Sequence, residues 1–322
     1  MCQPGRVSDT TSTPPVCVLG LGLIGGSLLR AAIHAGRRAW GHNRSAPSVD
    51  AARADGFDAD TDLVAVLQRA SSESALIVIA VPAPAVAPTL TAIARYAPNC
   101  SITDVVSVKT EVASEVARQG LSEHYVGGHP MAGTSASGWK VGSTDLFREA
   151  VWVVGTDDAV DPDVWMQVAQ LALDCGSVVV PAESTEHDRA VARISHLPHL
   201  LAESLAITGA SGGPLALGLA AGSFRDGTRV AASAPSLVLA MCEGNRDALL
   251  TALDEALVLL QDARTELSEQ SSAATLVNAG HAARATYDNQ ETWEITGIVP
   301  GQDGWIDDMR DAGRRGGRLH RL

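Results

Sequence analysis

His129 is the residue whose surroundings most clearly raise a chemical question. It stands in Gly127-Gly128-His129-Pro130-Met131-Ala132-Gly133-Thr134, between a glycine pair and a proline, with another glycine just beyond. Glycine and proline shape backbone and carry no reactive group. The stretch therefore reads as a rigid mount for one titratable ring. An imidazole tuned near neutral pH can take a proton from a substrate hydroxyl; the competing reading is a structural histidine bonded to loop carbonyls. Ser107, in Ser107-Val108-Lys109, offers a hydroxyl to the same substrate oxygen, or a cap to a helix beginning at Thr110. Lys109 reads as a surface or phosphate-facing charge.

Two further clusters carry usable groups. In Ser195-His196-Leu197-Pro198-His199, Ser195 and His199 are four apart and share one face of a helical pattern. Pro198 removes a backbone donor there and is expected to kink the helix, making a cleft wall. The alternative is that the histidines face solvent, His196 more so than His199. In Phe224-Arg225-Asp226-Gly227-Thr228-Arg229, Arg229 suits two-pronged binding of a carboxylate, with Asp226 orienting nearby donors. An exposed ion pair is the plainer reading.

Elements must hold these groups in place. Val16-Cys17-Val18-Leu19 is an apolar run ending in Gly20-Leu21-Gly22-Leu23-Ile24-Gly25, followed by a helical pattern. In such a turn the first glycine permits the bend, the second admits a pyrophosphate, and the third lets helix and strand pack closely. The strand-turn-helix setting makes dinucleotide binding the reading, against a purely structural turn. The acidic residue expected at the end of the second strand is missing, and Asn43-Arg44 stands there. An arginine beside a neutral residue suits a 2′-phosphate, so NADP is favoured over NAD; an arginine stacked on the adenine would accept either. Given such a cofactor, proton loss to His129 as a hydride leaves carbon would turn an alcohol into a ketone.

Further apolar runs at 76–81, 101–104, 125–127, 151–154 and 178–180 alternate with helical stretches, the pattern of a parallel sheet covered on both faces. Beyond about 182 the runs vanish. Stretches 184–209, 235–243 and 246–287 read as helices, with Ser184 or Thr185 capping the first. The expected organisation is a disordered tail at 1–15, a Rossmann-type α/β domain at 16–182, an all-α dimerisation and substrate domain at 183–290, and a C-terminal remnant at 291–322. In that remnant 293–299 reads as a strand, 304–312 as a helix, and the basic, glycine-rich end as mobile.

Composition narrows the class. The 322 residues hold 24 lysines and arginines against 37 aspartates and glutamates, a formal net charge of −13. That argues against non-specific nucleic-acid binding, and it means that an anionic ligand needs its own local cations. The five cysteines are scattered, which points to reduced cytoplasmic thiols and no metal site. Neither a signal-peptide core nor a membrane-spanning run is read.

Together, "GLGLIGGSL" at 20–28, "SVK" at 107–109, "GHPMAGTSASG" at 128–138, "SHLPH" at 195–199 and "FRDGTR" at 224–229 resemble the prephenate/arogenate dehydrogenases of tyrosine biosynthesis. The resemblance covers about residues 16–287. It implies NAD(P)-dependent oxidative decarboxylation of prephenate to 4-hydroxyphenylpyruvate, or of arogenate to tyrosine, by a homodimer. It implies that His129 accepts the hydroxyl proton, Ser107 orients it, and Arg229 binds a substrate carboxylate. His199 would line the pocket, supported by Ser195, Gly133, Thr134 and Asp226. The cofactor would lie along Gly20, Gly22, Leu23, Ile24 and Gly25, the Asn43-Arg44 corner and the Val81-Pro82 turn. The pattern departs at Ser135, where the family often has an acid, and the remnant is too short for a complete βαββαβ regulatory module. Two rivals stand beside it. A Rossmann β-hydroxy-acid dehydrogenase would need a catalytic lysine in the helical half, and no lysine follows Lys140. A dinucleotide sensor without turnover has no need of His129, Ser107 and Arg229 together.

Overall fold

The computed structural model describes residues 13–134 and 136–322. Most of the tail expected at 1–15 and the departure at Ser135 therefore lie outside the described residues. Strands β1 (Val16–Leu19), β2 (Ala39–His42), β3 (Ala59–Asp60), β4 (Leu76–Ile79), β5 (Ile102–Asp104) and β6 (Tyr125–Val126) form one sheet, ordered β3-β2-β1-β4-β5-β6. Every pairing in it is parallel. Helices α1 (Leu23–His34), α2 (Ala46–Ala54), α3 (Leu63–Ser72), α4 (Val86–Tyr96) and α5 (Thr110–Arg118) connect the strands. All residues of β1 and β4 are fully buried, as expected for central strands covered on both faces. The strand order reverses between β1 and β4, and ligands of such sheets bind at the carboxyl edge there.

The chain then leaves this sheet. Strand β7 (Gly128–Pro130) pairs antiparallel with β8 (Val151–Gly155), His129 opposite Val153. Strand β9 (Val178–Ala182) lies parallel to β8, reached through α6 (Pro162–Asp174). His129 thus sits inside a short strand, immediately after β6, rather than on a loop beyond a strand. Gly128 is what allows this: a Cβ there would come within 2.7 Å of the Asp104 carbonyl and 3.0 Å of Trp152 Nε1.

The second half is helical: α7 (Ser184–Val191), a π turn at Ala192–His196, α8 (Leu197–Ser211), α9 (Gly213–Gly218), α10 (Gly222–Gly227), α11 (Pro235–Gly244), α12 (Arg246–Gln270) and α13 (Ala274–Asp288). The α7 cap is not Ser184 or Thr185 but Glu183, whose carboxylate accepts the Glu186 N–H at 3.3 Å. The break expected at Pro198 takes the form of the π turn. Its wider winding leaves room for a ring that would collide with an α-helical carbonyl. The helix expected over 246–287 is two helices. Ser271 takes a left-handed φ of 55° and ends α12, and Ser272 Oγ accepts the Ala274 N–H at 3.1 Å. Many apolar side chains of these helices face outward, among them Leu201, Leu205, Leu257 and Leu260 at 40–51% exposure. No helix among the described residues is long and apolar enough to cross a membrane.

The C-terminal stretch is built into the first half. Strand β10 (Trp293–Glu294), helix α14 (Trp305–Arg314) and strand β11 (Gly317–Arg318) form a small unit with parallel strands. Trp305, Met309 and Ala312, one face of α14, are buried, and Trp305 meets Trp165 edge to face with ring centroids 5.6 Å apart. The basic end, read as mobile from its composition, is paired to the first half. Leu319 exchanges two backbone hydrogen bonds with Val179 at 2.8 and 2.9 Å, adding to the free side of β9. The strand expected over 293–299 is two residues long.

Candidate active site

The glycine turn has the form the sequence implies. Gly20 has φ +106°, and a Cβ there would strike the Ala80 carbonyl at the end of β4. A Cβ on Gly25 would strike the Gly20 carbonyl and the Ala80 side chain. Gly22 differs, since a Cβ there meets nothing within 4 Å. The first and third glycines thus serve packing, and the second opens space at the N-terminus of α1, which has no side-chain cap. Free N–H groups at a helix start beside open space fit a pyrophosphate. Leu23 and Ile24 are half-buried in the first turn, and Val81-Pro82 follows β4 beside Gly20. Asn43 is half-buried at the end of β2, with its N–H on the Asp60 carbonyl at 3.1 Å, and Arg44 is exposed.

Close to this edge His129 is the outer member of a buried chain. Its Nδ1 lies 2.8 Å from His187 Nε2, and His187 Nδ1 lies 2.8 Å from Asp188 Oδ1. Asp188 also caps α5 from another part of the chain, accepting the Lys109 N–H on Oδ1 and the Thr110 N–H on Oδ2, each at 2.9 Å. Burial raises a carboxyl pKa, but the hydrogen bonds from His187, Thr110 and Lys109 outweigh it and hold Asp188 at about 2. The proton between Asp188 and His187 therefore resides on His187 Nδ1. When His187 carries only that hydrogen, its Nε2 is an acceptor and His129 supplies the hydrogen from Nδ1. His129 Nε2 keeps its lone pair. Burial, then His187, Lys109 and His196, push the His129 pKa well below the usual imidazole value, with Asp188 opposing. A buried, neutral ring with its outer nitrogen unprotonated is a base ready for use.

Beneath the chain lies an ionic pair. Lys109 is 1% exposed and contacts Asp104 at the end of β5, which also accepts the Tyr125 O–H at 2.6 Å and the Val106 N–H at 2.7 Å. Lys109 is therefore not a surface or phosphate-facing charge. Burial lowers its pKa against the pull of Asp104. Ser107 is half-buried between β5 and α5, and it is not the α5 cap, since Asp188 has that role. His196 is also not solvent-facing: it is 1% exposed. Its Nδ1 receives Asn245 Nδ2 at 3.1 Å. Ser195 and His199 are half-buried, and His199 Nδ1 is buried without a partner among the described residues.

The remaining expected residues lie apart from these contacts. Gly133 and Thr134 are exposed after β7, with Thr134 Oγ1 accepting the Ala136 N–H at 3.2 Å. Arg229 is exposed at the start of a short turn that packs on α8. Asp226 does not orient it: its charge partner is the neighbouring Arg225 at 3.6 Å, both exposed. His187, Asp188, Asp104, Tyr125 and Asn245 were not foreseen. The adjacent His187-Asp188 pair, eight and seven residues before Ser195, was the signal available.

A parallel sheet of this order, an open glycine turn and a poised imidazole at the carboxyl edge define a Rossmann-type oxidoreductase that uses a nicotinamide dinucleotide. Residues 32–181 match the family profile "Prephenate dehydrogenase, nucleotide-binding domain", and 183–279 match "Prephenate dehydrogenase, dimerization domain". The prephenate dehydrogenase of Bacillus subtilis is 33% identical over 277 residues, spanning 80% of this chain and 71% of that protein. A crystal structure from Corynebacterium glutamicum, provisionally named a prephenate dehydrogenase, is 46% identical with a TM-score of 0.90, covering 95% of this chain and 98% of that one. The arogenate dehydrogenase structure from Synechocystis is 30% identical with a TM-score of 0.72, covering 85% and 99%. The chain belongs to the prephenate dehydrogenase family.

Proposed function

We propose that this chain oxidises and decarboxylates prephenate to 4-hydroxyphenylpyruvate. The observation that carries this reading is the Asp188–His187–His129 chain, which leaves the outer nitrogen of His129 free to accept a proton. Prephenate carries a ring hydroxyl opposite a ring carboxylate. His129 Nε2 takes the hydroxyl proton, and the charge that forms on its ring is shared through Nδ1–H with His187 and answered by Asp188. Ser107 orients the hydroxyl. A nicotinamide dinucleotide along Gly20, Gly22, Leu23, Ile24 and Gly25 would accept the hydride from the hydroxyl-bearing carbon. The ring carboxylate leaves as carbon dioxide, its bonding pair making the ring aromatic, and His129 returns the proton to the phenolate oxygen. Arg229 pairs a substrate carboxylate, and His199, Ser195, Gly133, Thr134 and Asp226 are the further substrate contacts that the sequence motifs supply.

The end of β2 carries Asn43-Arg44 in place of an acid, which favours NADP over NAD. The outward apolar side chains of α8 and α12 support a homodimer joined through the helical half. Arogenate is the second substrate to try, since one similar solved structure is an arogenate dehydrogenase. Reduced-nicotinamide absorbance, followed with each substrate and each cofactor, tests the reading. Turnover of prephenate is expected, and His129→Asn should lower kcat by about a hundredfold or more while cofactor affinity holds. Absence of turnover with every pair would overturn it.

A further inference from the structure

Asn245 precedes α12 in the helical half and is 5% exposed. Its amide has only one possible orientation. The nitrogen lies 2.7 Å from the Asp188 carbonyl oxygen, a group that can only accept. The same nitrogen lies 3.1 Å from His196 Nδ1. An amide nitrogen has two hydrogens and offers no lone pair, so His196 Nδ1 accepts the second. In the neutral ring the hydrogen then sits on Nε2, and that atom is buried without a partner among the described residues. Protonating the ring would aim an N–H at the amide N–H. Burial is the main cause holding His196 at about 4, with His187 and His199 lowering it further, and His196 in turn helps to lower His129.

We propose that Asn245 is a positioning residue: one amide nitrogen fastens the Asp188 peptide and fixes His196 as the neutral Nε2–H ring. The two rings are thereby set in opposite senses, His129 with an accepting Nε2 and His196 with a donating one. Asp188 is the hub of both arrangements. Its carboxylate orders His187 and through it His129; its carbonyl orders Asn245 and through it His196. Should His196 carry hydrogen on Nδ1, the amide would have to turn its oxygen inward and abandon the Asp188 carbonyl. The residue on which the base depends would then lose one of its anchors. The tautomer is independent of the activity proposed above; only the effect on turnover rests on it.

Imidazole proton–nitrogen correlation spectra of the full chain labelled with ¹⁵N-histidine test this. The His196 signals are identified by their loss in His196→Gln. In the native chain at pH 7, His196 should show a protonated Nε2 and a bare Nδ1. Asn245→Asp, equal in shape but accepting, should convert it to the Nδ1–H form or the cation. That variant should lower kcat by about tenfold or more, with cofactor affinity unchanged. Asn245→Ala, should the first variant not fold, is expected to abolish the single fixed tautomer. A native His196 with hydrogen on Nδ1, or a pattern unmoved by both substitutions, would overturn the proposal. Unchanged kcat in a variant whose tautomer has changed would remove the positioning role. A native chain inactive on prephenate would count against the activity alone.

Discussion

Asp188→Asn is the sharpest probe of the relay, because it keeps the shape of the side chain and changes only what its atoms can do. In the native chain three donors converge on the carboxylate: His187 Nδ1 at 2.8 Å and the Lys109 and Thr110 N–H groups at 2.9 Å each. An amide has one oxygen for these three donors. With its oxygen at the Oδ2 place, kept by the Thr110 N–H, its nitrogen stands at the Oδ1 place and faces His187 Nδ1, which must then accept, as well as the Lys109 N–H. His187 carries its hydrogen on Nε2 instead, His129 Nδ1 must accept in turn, and His129 Nε2 becomes a donor. That orientation removes the base's lone pair two rings away; the opposite one keeps the tautomer, sets the nitrogen against the Thr110 N–H, and leaves the charge formed on His129 without Asp188 to answer it. A wrong tautomer of this kind costs about 10²–10⁴ in kcat. The substitution also touches stability. The fall of the Asp188 pKa from the ordinary 3.8 to about 2 corresponds to about 2 kcal/mol favouring the folded chain. Because the folded value is the lower one, this stabilisation is present above about pH 4 and lost as pH falls towards 2; the variant should lack it. Steady-state kinetics and acid unfolding, run on both chains with cofactor binding as a control, measure the two effects. A variant with near-native kcat would refute the relay, whatever its stability.

Three other outcomes follow from the geometry. Gly22→Ala should leave stability within about 0.5 kcal/mol of native, yet weaken the dinucleotide about tenfold or more, because its Cβ points into open space; isothermal titration and thermal melts check the pair of effects. Arg44→Ala should weaken NADP by about tenfold and NAD less, as read by fluorescence titration. Equal losses would favour stacking on the adenine. Trp305→Ala should cost about 3 kcal/mol in urea unfolding, since the ring is buried against Trp165.

The parallel sheet was legible because its central strands are unbroken apolar runs, Val16–Leu19 and Leu76–Ile79, with glycine or proline shortly after them. Strand β3 was not, since two residues carry no period. His129 drew attention through its glycine and proline neighbours. The residues that set its proton did not: Glu186-His187-Asp188-Arg189 reads locally as a charged helix surface, and its burial depends on partners 58 and 79 positions away. Lys109 was misread for the same reason. A lysine is taken as exposed until an acid such as Asp104 is seen folded over it. The C-terminal glycines suggested disorder, and only the apolar face of α14 against β9 and Trp165 explains why they are ordered.

The family profiles reach residue 279, but part of the first domain's interior comes from beyond it, in Ile295, Trp305, Met309, Ala312 and Leu319. A chain cut after 290 would keep every proposed active-site group and still lose a side of its core. Trp165 would face water, and β9 would present unpaired amides and carbonyls where Leu319 now closes the border. Such bare strands recruit one another, so that shortened chain should be prone to self-association.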